Sequence, residues 1–100
     1  MLIEQIFASD KPTRIAATTE LVRQWSADPK LTPELIELTA SKLNNPSGTV
    51  NALVILHEVN PEQLRANAGD LYPMLEKAKM NGPQTTELVN QIIARSGIRN

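Results

Sequence analysis

The sequence predicts an all-α fold, three helical hairpins stacked into a short, solenoid-like, right-handed array. Three observations lead there. Apolar residues recur at steps of three and four, with no sustained alternation of period two. Helix-start chemistry precedes each apolar run. Three similar turns, Ser9-Asp-Lys-Pro-Thr13, Asn45-Pro-Ser-Gly-Thr49 and Asn81-Gly-Pro-Gln-Thr85, place their threonines 36 residues apart each time.

The first segment, Leu2 to Ala8, is a short amphipathic start. Ser9 and Asp10 are placed to cap a second segment running to about Ser26, with Pro12 tolerated in its first turn. Ile15, Thr18, Leu21, Val22 and Trp25 form its inward face, opposite Thr19, Glu20 and Arg23. Asp28-Pro29 breaks the chain. Thr32-Pro33-Glu34 then combines a hydroxyl cap, an N-terminal proline and an acid near the positive end of the helix dipole. This third segment turns Leu35, Ile36, Leu38, Thr39 and Leu43 inward.

Asn44 to Gly48 reads as a turn, and a fourth segment runs from about Thr49 to Val59. It is apolar nearly all round (Val50, Ala52, Leu53, Val54, Ile55, Leu56 and Val59), which requires burial on most sides. Asn60-Pro61-Glu62-Gln63 opens a short extra turn of helix. The fifth segment begins near Asp70 and carries Leu71, Met74, Leu75 and Ala78, with Pro73 in its first turn or kinking it. Asn81-Gly82-Pro83 separates it from the sixth, which holds Leu88, Val89, Ile92 and Ile93 and stops at Gly97. The second and sixth segments are amphipathic and the fourth is not, as expected for a buried middle between solvated ends.

One hundred residues suffice for a single domain, with units at about 1–27, 32–60 and 67–97. Phe7, Trp25 and Tyr72 are the aromatic residues, so the core must be aliphatic. Ten basic side chains face eleven acidic ones without a block of either sign. That balance argues against nucleic acid and anionic membranes. With no cysteine there is neither a disulfide nor a thiolate ligand, which fits a reducing, cytoplasmic setting. The opening Met-Leu-Ile-Glu-Gln-Ile-Phe-Ala lacks a basic n-region, so no signal peptide or membrane span is expected.

The paired segments resemble the HEAT and armadillo-like helical repeats over residues 1–96. The local match is Asp10 followed by Arg14-Ile15-Ala16-Ala17, similar to the Asp…Val-Arg-x-Ala-Ala start of a second HEAT helix, with the arginine before the branched residue. Asn51 to Leu88 also resembles helical segments attached to bacterial caspase-like proteases. The first resemblance implies a non-catalytic module that binds another protein with its second helices. The second implies an accessory domain of such a protease system.

Side chains suited to catalysis are scattered. His57 is the sole histidine; it reads as a structural residue one turn after Leu53, the competing role being a general base or pH switch. His57-Glu58-Val59-Asn60 lacks the second histidine of a zinc protease. Glu34 and Glu37 share a helix face, but no histidine or cysteine completes a metal site. No cofactor or metal is expected, and no enzyme. Outward positions on the second helices are Thr19, Arg23, Asn51, Ile55, Glu58, Thr86 and Asn90, the expected partner-binding set. Ile55 there either meets another protein or packs on an adjoining pair, and Trp25 is either core or a binding anchor. Failing that surface, Glu34, Glu37, Lys77 and Lys79 mark the alternative on the first helices. The expected partner is another protein, with the chain itself a monomer or weak homo-oligomer. The alternative is a nucleic-acid-binding helical repeat, for which the second helices offer Arg14, Arg23 and Arg95.

Overall fold

The computed structural model of the protein describes residues 2–24 and 30–98. Among these, helices follow in the order α1 (Leu2–Gln5), α2 (Lys11–Gln24), α3 (Leu31–Ser41), α4 (Pro46–Glu58), α5 (Pro61–Ala66), α6 (Ala68–Ala78), a 3-10 turn (Lys79–Asn81) and α7 (Pro83–Ser96), and there is no strand. Trp25 and the Asp28-Pro29 break lie outside the described residues. No described helix is long and apolar enough to cross a membrane.

Local chemistry explains the boundaries. Asp10 caps α2: its Oδ2 accepts from Thr13 N at 3.0 Å and from Thr13 Oγ1 at 2.5 Å. Those two bonds, the hydroxyl's first, hold its carboxyl below the ordinary 3.8. Asn45 caps α4 by accepting from Gly48 N at 3.0 Å, and Pro46 takes the first helical position. Asn44 lies in a turn as expected and Asn45 is the cap, but Pro46 to Gly48 are already helical, so the helix starts ahead of the expected Thr49. Turns and helix starts share this composition, and the cap decides between them. Asn60 caps α5 through Glu62 N at 2.8 Å.

Thr32 departs from its expected capping role. α3 begins at Leu31 with no side-chain cap, and Thr32 is buried with its hydroxyl 3.0 Å from Gln63 Oε1 of α5. Pro73 sits inside α6. It and Gly69, four residues earlier, are both exposed, so the backbone bond that proline removes lies on the solvent side. α7 ends as expected, with Gly97 left-handed at φ 70° and its N–H on Ile93 O at 2.8 Å.

α4 packs between α2 and α7, α3 packs on α6, and contacts join α1 to α2, α3 to α4 and α6 to α7. The molecule measures 34 × 31 × 19 Å. Its short dimension equals two helix diameters of about 10 Å, hence two helical layers. One continuous aliphatic core fills the space between them, including Ile6, Leu35, Leu53, Leu56, Leu71, Leu75, Val89 and Ile92.

Side chains tie neighbouring hairpins through backbone carbonyls. Asn45 Nδ2 donates to Phe7 O at 3.0 Å and Asn81 Nδ2 to Leu43 O at 3.1 Å, each bond spanning 38 residues. Donors and acceptors are thus offset by the same 36 residues as the threonine turns. The next carbonyl in that series, Lys79 O, lies 3.1 Å from Thr86 Oγ1. Arg95 of α7 donates to His57 O and, at 3.3 Å, to Val59 O. Gly48 permits the closest approach: a Cβ there would stand 2.1 Å from the Phe7 ring.

Two orientations differ from those expected. Ile55 is fully buried, whereas the periodicity put it outward. It shares its side of α4 with Ala52 and Val59, three and four residues away, and α4 is covered on that side. Ile15, expected inward, is 52% exposed. The buried line of α2 runs through Ala17 and Leu21, and Ile15 stands about 200° around the helix from Ala17.

Three stability outcomes follow. Leu53→Ala and Leu56→Ala, both at fully buried sites, are expected to cost about 2–5 kcal/mol, and Leu88→Ala less because its site is half-buried. Urea melts establish the order. Thr39 is fully buried with a hydroxyl that has no hydrogen-bond partner among the described residues, so Thr39→Val is expected to raise stability by about 1 kcal/mol. Unchanged or lower stability would mean that the hydroxyl is satisfied in solution. A depressed carboxyl contributes stability above its ordinary 3.8 that is lost as pH falls through its lower folded value. Asp10→Asn keeps a cap without the charge. Wild type should therefore lose its advantage over this variant below about pH 4, and a gap that stays constant through that range would refute a carboxylate cap.

Candidate interaction surface

Burial of one side of α2, α4 and α7 leaves their other sides together on one layer. Two hollows mark it. The first, about 430 Å³, lies where the three helices begin and is lined by Lys11, Arg14, Ile15, Ser47, Val50, Asn51 and Gln84. The second, about 130 Å³, lies between α4 and α7 and is lined by Val54, His57, Glu58, Leu88 and Gln91. Val50 and Val54, one helical turn apart, join them into an apolar line. Val54 is 37% exposed, and Val50 and Leu88 are half-buried.

Charges on this layer are of both signs, with Lys11 and Arg14 together at the first hollow. Arg14 Nη1 donates to Ala8 O at 2.9 Å and to Ser9 O at 3.0 Å, which fixes its guanidinium over the turn into α2. Arg95 is fixed likewise on the end of α4. Lys11 is exposed and forms no ion pair among the described residues. Glu58 supplies a negative charge, with its Oε1 3.6 Å from His57 Nδ1. On the other layer, Tyr72 donates to Glu76, which raises its phenol above the ordinary 10.0.

The expected partner-binding residues do not gather on one surface. Thr19 is exposed on α2 but lines neither hollow. Arg23 is exposed and pairs with Glu20 at 3.3 Å. Asn51 is half-buried, its amide donating to Ile6 O at 3.1 Å, so it holds the fold as well as lining the first hollow. Ile55 is core. Glu58 lines the second hollow. Thr86 and Asn90 line a third, of about 710 Å³, on the far side of α7 beside the 88%-exposed Met80. Thr86 is internally engaged there, its hydroxyl lying 2.9 Å from Gly82 O.

Ile15, Val50, Val54 and Leu88 are the surface residues that the periodicity missed. A signal for two of them existed. α4 has more apolar positions than neighbouring helices can cover, and Val50, Val54 and Glu58 form a four-residue row ending in a charge.

Chemistry beyond binding finds few parts here. His57 is half-buried, and no serine or threonine hydroxyl is bonded to it among the described residues. Nor do those residues include a group of three or more His, Cys, Asp or Glu placed to hold a metal ion. Among the first-helix charges, Glu34, Glu37 and Lys77 are exposed, and Lys79 is half-buried 3.4 Å from Glu76 Oε1.

Compared with protein-family models, curated proteins and solved structures, the chain matches none of them.

Proposed function

We propose that the chain is a non-catalytic, cytoplasmic protein–protein interaction module, a short right-handed array of three HEAT-like hairpins that binds another protein through the exposed layer of α2, α4 and α7. The observation that carries this reading is the apolar line across that layer. Ile15 is 52% and Val54 37% exposed on adjacent helices, with Val50 and Leu88 half-buried beside them. Large aliphatic side chains set in a line with a charged rim have the form of a binding face. The array reading draws support from the two-layer thickness, the side-by-side packing of α2, α4 and α7, and the paired asparagine bridges.

Ile15→Asp and Val54→Asp test the face. Ile15 is open to water, so its change is expected to alter stability by roughly 0.5 kcal/mol or less. Val54 is 37% exposed, so its change is expected to cost about 1–2 kcal/mol and leave the chain folded. Each should nevertheless abolish capture of the partner by immobilised full-length protein. Ile55→Asp, a buried unpaired carboxylate, should instead unfold the chain. Capture that survives both surface substitutions overturns the reading. So does tight duplex binding that collapses with salt, since it would make Lys11, Arg14 and Arg95 a nucleic-acid strip.

A further inference from the structure

A second pairing of surface features shares Ile15 with the apolar line, joins it to the opposite layer, and is matched in shape and sign. On α2, Ile15 stands as a ridge with Lys11 one turn before it. Helical neighbours four apart lie about 6 Å from each other, so the aliphatic branch and the ammonium form one unit. On the other layer, α1 and α3 enclose a hollow of about 280 Å³ lined by Ile3, Glu4, Glu34, Glu37, Leu38 and Ser41. Ile3 and Leu38 are its apolar floor. Ser41 is engaged, donating to Leu38 O at 2.7 Å. Glu4, Glu34 and Glu37 are exposed around it, and none forms an ion pair among the described residues.

An apolar floor inside an acidic rim suits a branched aliphatic side chain beside a cation, which is the chemistry of the Lys11–Ile15 ridge. We propose that the chain associates with a second copy of itself head to tail, the Lys11–Ile15 ridge of one copy entering the Ile3–Leu38 hollow of the next. The ridge and the hollow are different patches on different layers, so the contact is heterologous. Each added copy leaves one ridge and one hollow free, and association continues unless the rotation closes a ring. One aliphatic anchor and a few rim charges make a weak contact, sensitive to salt because the rim is solvated.

The proposal goes beyond the partner-binding reading and shares Ile15 with it, so two other substitutions separate their failures. Glu37→Lys alters the hollow and leaves the apolar line intact. Val54→Asp does the reverse.

Sedimentation equilibrium of the full chain tests it. At about 1 mM protein and low salt, the mass should rise above the 11.0 kDa monomer, and it should fall back on dilution or in 0.5 M salt, where the Debye length is only about 4 Å. Ile15→Asn, with the ridge lost, and Glu37→Lys, with the hollow reversed, should each remain monomeric and as helical as wild type by circular dichroism. An equimolar mixture of the two retains one native ridge and one native hollow. It should therefore stop at pairs of twice the monomer mass. Three results would overturn the proposal: a wild type that stays monomeric at about 1 mM, association indifferent to Glu37→Lys, or a mixture no heavier than its separate components.

Discussion

A helix can be apolar on most sides only where neighbours cover most sides, and α4 sets that condition for the molecule. Ala52, Leu53, Ile55, Leu56 and Val59 are all buried, and they span about 160° of the helix, wider than one neighbour covers. They require α2 on one flank, α7 on the other and α3 beneath, and these are the helices that pack there. α2 and α7 each have one flank against α4 and another facing solvent, so they are amphipathic. The outward sides of all three helices then form one layer because no other described helix is stacked over it. Exposure of Ile15 and Val54 follows from the same packing that buries Ile55.

The backbone imposes a second requirement. Each hairpin turn leaves carbonyls at the end of one helix, and turns packed against neighbours must satisfy them. Asn45 and Asn81 each sit at the following turn and reach back to the preceding one, on Phe7 O and Leu43 O. Asn45 does so while also capping α4, its amide nitrogen reaching Phe7 and its amide oxygen receiving Gly48 N–H. A single asparagine thereby fixes both the start of a helix and its register against the previous hairpin. Gly48 completes the arrangement, because only a residue without Cβ lets the Phe7 ring lie so close.

Element type was legible in the sequence, and side-chain phase less so. Pro12, Pro46, Pro61 and Pro83 each fall in the first turn of a helix, and Gly97 ends the last one, by rules that need no tertiary information. Thr32 shows where such rules stop, because a hydroxyl with cap spacing became a partner for Gln63 once α5 packed against it. Ile15 and Ile55 show the same limit for orientation. α2 has apolar and small residues on adjacent stripes, so choosing Ile15 over Ala17 as the buried side needs the neighbour's shape. α4 is apolar on so many sides that its periodicity holds almost no phase. Choosing Ile55 instead of Val54 as the outward residue was therefore a choice between near-equivalent positions. The hollow on α1 and α3 was visible only in part. Glu34 and Glu37 share a helix face by spacing, but Glu4 joins them through tertiary packing alone.

The even overall charge conceals local clusters of one sign. Lys11, Arg14 and Arg95 belong to the layer of α2, α4 and α7, while Glu4, Glu34 and Glu37 rim the hollow on α1 and α3. Counting along the chain cannot reveal the acidic rim, because Glu4 meets Glu34 and Glu37 only when α1 packs beside α3. Unmatched exposed charges destabilise a fold little, since water solvates them, so stability does not select against such clusters. Its effect appears in encounter, where separated charges orient an approaching molecule. A partner that reads Lys11 and Arg14 beside Ile15 must present acid beside an aliphatic surface. Within this protein, the rim of Glu4, Glu34 and Glu37 around Ile3 and Leu38 already has that composition.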